Sequence, residues 1–390
     1  MRSAILAVSA ALFAQTASAQ SCGGSFPSFV TGLKSEAASL GYSQTQIDTF
    51  FNGVAQDGAV LKADRAQGVF QKNFLDFSRS LISQNRIDNG RIYGDRYASV
   101  FDRIQREYGI PKGVLLAFWA FETDFGQVQG NFNTLNALVT LSHDCRRPEL
   151  FRPQIFAALE LFKRGDFDPR KTTGAWAGEI GQVQMLPKDI IENGRDGDGD
   201  GHVDLKGSSP DALMSGAAML SSLGWRPNEP WLVEVTVPEN LDWSKTGLNH
   251  AMSEADWARL GVTPRSGTLD NPNLQASVLL PVGRKGPAFL AYPNFRVYFE
   301  WNKSMVYVTT AAYFATRLMG APAYNAGSPD VGLSGEEIVS LQRKLEARGY
   351  DVGGADGIIG EMTREAVQTE QERLGLPADA WPTRELLGRL

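Results

Sequence analysis

Over the first half of the chain, apolar residues recur at three- and four-residue steps, the spacing that gathers them on one face of a helix. Phe29, Leu33, Ala37 and Leu40 keep that step, and Ser43-Gln44-Thr45-Gln46 reads as a capping box opening the next helix. Pro111 precedes Val114 to Phe121, a run apolar on every side, as a helix buried all round requires. Residues 148–164, 209–223 and 304–318 give further helical stretches. Between Leu232 and Phe299 the period changes. Val233-Glu234-Val235-Thr236-Val237 alternates as a strand does, Ser277 to Val282 and Phe295 to Phe299 read similarly, and Gly and Pro separate them. The pattern predicts a mainly helical α+β body with a small β insertion.

Ala321 to Asp330 is a linker by composition. After it, Leu341 and Leu345 share a helix face, Gly349 closes that helix, and Thr363 to Leu374 forms a second one. The predicted organisation is a body over 20–320, a linker over 321–332 and a small helical unit over 333–390.

Composition narrows the function. With 43% apolar and 21% charged residues in 390, a large core can form and a disordered chain is excluded. A net charge of −6 leaves no basic footprint for nucleic acid. His143, His202 and His250 are scattered, which excludes a histidine-rich zinc centre. Arg2, the apolar stretch Ala4 to Ala14 and the small-residue site Ala17-Ser18-Ala19 predict a secretory signal peptide over 1–19, cleaved after Ala19. The apolar stretch is about half the ~20 residues that a membrane span needs. Removing Arg2 takes the charge from −6 to −7. The expected product is periplasmic, without a membrane span, and a monomer. Cys22 and Cys145, in an oxidising compartment, form one disulfide or remain two free thiols.

Glu122 ends the apolar run, in Ala120-Phe121-Glu122-Thr123-Asp124-Phe125-Gly126. A carboxyl among Phe and Trp loses hydration, its pKa rises, and it can then donate a proton near neutrality. From spacing alone, a helix-terminal glutamate facing solvent is an equal reading.

This segment resembles the acid-bearing helix of the membrane-bound lytic murein transglycosylase B family of lysozyme-like enzymes. Arg146-Arg147-Pro148-Glu149-Leu150-Phe151 resembles that family's paired-arginine segment, and Trp176 to Pro187 its active-site loop. Tyr292-Pro293-Asn294-Phe295 with Trp301-Asn302-Lys303-Ser304 is similar to the segment closing its cleft. The resemblance implies a lysozyme-like domain that cleaves peptidoglycan between N-acetylmuramic acid and N-acetylglucosamine. One carboxyl, Glu122, would protonate the leaving oxygen. As a carboxylate it would then take a proton from the muramoyl C6 hydroxyl, giving a 1,6-anhydro end without water. An internal nucleophile has a high effective concentration, so the second carboxylate of ordinary glycosidases is unnecessary.

By the same resemblance Gln184 and Asn302 would hydrogen-bond substrate, and Arg146 and Arg147 would meet its anionic substituents. Asp124, two residues from Glu122, falls on a different helix face and reads as structural or as a helix-end contact. Trp176, Phe295 and Trp301 are either sugar platforms or core. Ala175, Leu150 and Trp301 depart from the family's serine and two tyrosines. A hydrolytic muramidase and a non-catalytic peptidoglycan-binding scaffold are the alternatives.

Asp196-Gly197-Asp198-Gly199-Asp200-Gly201-His202 matches the start of a calcium loop, with His202 offering its backbone carbonyl. Gly207 stands where a bidentate glutamate is expected; the resemblance supplies Asp211 instead. The expected Ca2+ would brace the loop after Pro187 and take no part in catalysis. Leu341 to Leu345, Gly349-Tyr350, Asp356 to Gly360 and Thr363 to Val367 resemble the peptidoglycan-binding domain 1 family, which implies a wall-binding unit.

Overall fold

The computed structural model describes residues 22–66 and 72–390; the predicted signal peptide lies outside them. Helices dominate. Helix Phe26–Ser39 buries Phe29, Leu33 and Ala37. It ends before the fourth apolar position, so Leu40 is 58% exposed. The capping box forms, with Ser43 and Gln46 bonding each other's backbone.

Helix Lys112–Thr123 is the centre of the body, buried at every position from Gly113 to Ala120. Helices Met305–Leu318, Gln84–Arg96 and Ser209–Ser222 surround it. Burying a side chain such as Leu116 or Phe118 contributes about 1.5–3 kcal/mol, so one run of this kind fixes where the neighbouring helices must lie. This core contains Phe118, Trp225, Phe295 and Phe314. A second core, around Phe50, Leu138, Phe151 and Ile155, fills the N-terminal lobe. Trp301 packs against both.

The β insertion is a five-stranded antiparallel sheet in the order Met252–Ser253, Gln275–Leu279, Ala288–Ala291, Leu232–Thr236 and Thr263–Pro264. Leu290 is opposite Val233 on one side and Val278 on the other. Residues 295–299, expected as a strand, lie instead in helix Pro293–Trp301. Pro293 presets the first turn, and Phe295 and Phe299 meet four residues apart at 5.7 Å between ring centroids. Five large residues in a row left the period ambiguous.

The C-terminal unit has helices Gly335–Glu346, Glu361–Arg373 and Arg384–Arg389 around Leu341, Leu345, Val367 and Leu386. It is docked on the body: Gln368 donates to the carbonyls of Trp243 and Thr246, Arg296 pairs with Glu361, and Arg284 with Asp379. The segment read as a linker has no helix or strand, yet it is anchored. Tyr324 packs on Phe74 and Tyr313, the Asn325 amide donates to Glu234, and Asp330 pairs with Lys285 at 2.6 Å. Its composition excluded regular structure and said nothing about contacts. A Cys22–Cys145 disulfide ties the N-terminal segment to the turn before helix Pro148–Arg164.

Candidate active site

The apolar helix carries Glu122 to its last turn and stops there. Asp124 caps it in the left-handed region, at φ 50°, and Arg86 donates to the Asp124 carboxylate at 3.0 Å. Asp124 is therefore a helix-end contact. Thr123, also buried, donates to the carbonyl of Gln182 at 2.6 Å and so ties the helix end to the loop 176–187. Close approach is required there: a Cβ on Gly126 would stand 2.8 Å from Oε1 of Gln182.

The Glu122 carboxyl is enclosed. Tyr307 donates to its Oε1 at 2.5 Å, and the indole N–H of Trp301 reaches the same oxygen at 3.0 Å. Burial raises the pKa of Glu122, these two donors oppose the rise, and the charge of Glu179 adds to it. Both donors fall on Oε1, and Oε2 has no protein donor among the described residues. The arrangement holds one oxygen and leaves the other free to exchange a proton with a ligand.

Trp301 stacks on Phe118 at 4.4 Å between ring centroids while its N–H serves Glu122. Phe295 is fully buried, which places it in the core and not against a sugar. Asn302 follows Trp301 directly, and its Oδ1 accepts from the Ser304 amide, leaving the side-chain amine without a protein partner among the described residues. Gln184 sits in the loop at φ 53°, with its Nε2 on the carbonyl of Gly181 at 2.7 Å. A left-handed glutamine is uncommon, and the loop maintains it through the Ile180–Met185 bridge.

Arg146 and Arg147 converge on one carboxylate, that of Asp64, which is 1% exposed. Arg146 also donates to the Asp64 carbonyl at 2.7 Å, and the Arg147 guanidinium lies over Phe151. Glu179, in the loop, has its pKa raised by burial; the charge of Arg147 opposes this, and one of its carboxylate oxygens has no hydrogen-bond partner. The charge of Arg147 thus acts on Glu179, and that of Glu179 on Glu122. Sequence reasoning missed Tyr307, Asp64 and any role for Glu179. Tyr307 reads as one more helical aromatic and Asp64 as a surface charge, so neither carried a signal.

The acidic loop folds around Asp211, which is buried. Its carboxylate accepts from the amides of Gly197 and Asp204, each at 2.8 Å. Carboxylate oxygens of Asp196, Asp198 and Asp211 lie within 4.8 Å of one another, a set of hard donors suited to a cation such as Ca2+. Asp200 is outside this cluster and accepts from the His202 amide, while the His202 imidazole faces Asp166 at 3.0 Å. The loop is wired to the active-site loop. The Gln182 amide donates to the Leu205 carbonyl at 2.8 Å, and Ser209 donates to Oε1 of Gln182 at 3.0 Å.

Comparisons with known proteins fit this geometry. Residues 25–316 match the family described as Transglycosylase SLT domain, and residues 334–390 match a peptidoglycan binding domain. The chain is similar to membrane-bound lytic murein transglycosylase B of Escherichia coli, at 29% identity over 236 residues. That match takes in 60% of this chain and 64% of the relative's length. Among solved structures, SltB3 of Pseudomonas aeruginosa in complex with NAG-anhNAM-pentapeptide superposes with a TM-score of 0.85 and 35% identity, covering 94% of this chain and 99% of SltB3. The Escherichia coli lytic transglycosylase Slt35 in complex with calcium shares the fold, with a TM-score of 0.64 and 24% identity over 78% of this chain and 97% of Slt35.

Proposed function

The chain belongs to the Transglycosylase SLT domain family, and from that premise we propose that it is a lytic transglycosylase of peptidoglycan, with Glu122 as its acid and base. The observation that carries this reading is the enclosed carboxyl of Glu122, held through Oε1 by Tyr307 and Trp301. Burial favours its protonated form, from which the reaction starts. Oε2 gives its proton to the glycosidic oxygen between N-acetylmuramic acid and N-acetylglucosamine. The C1–O bond breaks, and C1 of the muramoyl ring becomes electron-poor. The carboxylate, now accepting from both donors, takes the proton of the C6 hydroxyl as O6 attacks C1. The products are a shortened strand and a 1,6-anhydromuramoyl end, and Glu122 is protonated again.

Gln184 and Asn302 present amide groups to the sugar, and the Arg146–Arg147 pair meets anionic substituents beside the cleft. Asp196, Asp198 and Asp211 would hold Ca2+, which would brace the turn carrying Leu205 and, through it, Gln182. Bound there, the ion would supply charge neutralisation to the loop, and the chemistry stays with Glu122. We place the protein in the periplasm, with the C-terminal unit as a wall binder docked on the body.

Digestion of purified sacculi, read by mass spectrometry, tests the reaction. Muropeptides lighter by one water than the hydrolytic products are expected. Hydrated products would establish a muramidase instead, and no products a binding scaffold. Glu122→Gln keeps the fold and abolishes turnover; retained turnover would remove Glu122 from the mechanism.

A further inference from the structure

Arg146 and Arg147 lie in the turn 144–147, between helices Thr134–His143 and Pro148–Arg164, and no helix or strand covers it. Two separate parts of the chain grip this turn. On one side stands the end of helix Gly58–Arg65: Asp64 takes both arginine heads, and Arg65 pairs with Asp144 at 2.6 Å. On the other side stands the N-terminal segment. The Gly23 amide donates to the His143 carbonyl at 2.9 Å, and Nε2 of His143 donates to the Gly24 carbonyl at 3.0 Å. The Phe29 ring meets the His143 ring edge-on. The Cys22–Cys145 disulfide completes this second grip and joins positions 123 residues apart.

The disulfide acts on the backbone immediately before Arg146. Cys145 stands at φ 59°, in the left-handed region that a residue with a Cβ enters rarely. The pairs with Asp64 hold the guanidinium heads, whereas the disulfide holds the backbone that carries them. With the bond open, Cys145 is free to return to a negative φ, which re-aims the two arginines that follow. The bond is also accessible. Cys145 is exposed and Cys22 partly so, and access is what thiol–disulfide exchange requires.

We propose that this disulfide is a redox-sensitive strap on the arginine pair. Closed, it fixes Arg146 and Arg147 for an anionic group of the substrate; opened by a dithiol, it loosens that hold and leaves Glu122 untouched. That the arginines meet substrate rests on the function proposed above; the release of the turn does not. In the opening step a thiolate of the dithiol attacks Sγ of Cys145 and the S–S bond breaks. Cys22 leaves as a thiolate and takes a proton. The second thiol of the reductant then displaces Cys145 from the mixed disulfide. Two electrons and two protons have passed to the protein, and the reductant has closed into its own disulfide.

The test compares the full-length protein with and without dithiothreitol, at a temperature well below the melt of the reduced form. The count of free thiols should rise from none to two. KM for glycan strands should rise about tenfold, because ordering two long side chains is now left to the binding step. kcat should stay within about twofold. Cys22→Ser should reproduce the reduced state and ignore dithiothreitol. A bond that merely stabilises the fold would lower the melting temperature and leave KM unmoved, and that result would overturn the proposal. So would a disulfide that stays closed to dithiothreitol in the folded protein. Hydrogen exchange at the amides of 143–147 reads the turn without substrate: faster exchange on reduction is expected, and unchanged exchange overturns the strap. A protein that leaves sacculi intact while its turn loosens on reduction would therefore refute the catalytic reading alone. One that digests sacculi with a turn indifferent to reduction would refute this one alone.

Discussion

The phenol of Tyr307 donates to Oε1 of Glu122 across a separation of 185 residues, at 2.5 Å. Trp301 serves the same oxygen at 3.0 Å. One oxygen of the carboxyl is thus held by two donors, and the other has no protein donor among the described residues. A carboxyl that must act first as acid and then as base needs both conditions. Burial favours its protonated form, and two fixed donors favour the charged form that appears later.

Tyr307→Phe removes the donor that lowers the pKa of Glu122. With the charged form less favoured, the acid stays protonated to higher pH, so the alkaline limb of kcat moves upward. The base half of the reaction also loses orientation, and kcat should fall by about ten- to a hundredfold. A pH–rate profile on sacculi checks both. A limb that stays or moves down would contradict the assignment of the hydrogen bond.

Glu179→Gln should move the same limb the other way. The charge of Glu179 raises the pKa of Glu122, so its removal lets Glu122 ionise at lower pH. Gln keeps the shape, and the change should appear in the alkaline limb more than in KM. An unshifted profile would show that Glu179 remains neutral throughout the working range.

Asp64→Asn leaves two guanidinium groups without their shared carboxylate. Breaking a buried pair costs about 3–5 kcal/mol, reduced to about 2–3 kcal/mol here because both arginines are partly solvated. Chemical denaturation measures this loss. KM for glycan strands should rise as Arg146 and Arg147 lose their position, with kcat less affected.

Chelation should lower the melting temperature of the wild type and leave Asp211→Asn unchanged. Calcium at a hundredfold excess over its Kd contributes about 2.7 kcal/mol to a protein that binds it only when folded. A wild-type melt indifferent to chelator and to added calcium would exclude the site.

Much of this protein was decided locally. The capping box at Ser43, the helix apolar on every side before Glu122, the alternating strand at Val233 and the D-x-D-x-D-G loop each rest on residues within a turn or two of one another. The sequence alone therefore determined a mainly helical body, a β insertion, a small helical end unit and a glutamate at the end of the apolar run. Local pattern failed at 295–299, where consecutive large residues suit both periods and Pro293 with the surrounding core selected the helix.

Only the tertiary structure decided what surrounds that carboxyl. Tyr307, Trp301 and Glu179 come from separate segments, and Asp64 gathers the two arginines from 82 and 83 residues away. A tyrosine that donates to an acid and one that merely fills a core look alike in sequence, because the difference lies in what packing brings to the hydroxyl. The segment 321–332 makes the same point: its composition forbids a helix, but the contacts of Tyr324 and Asp330, formed only once the body has folded, hold it in place.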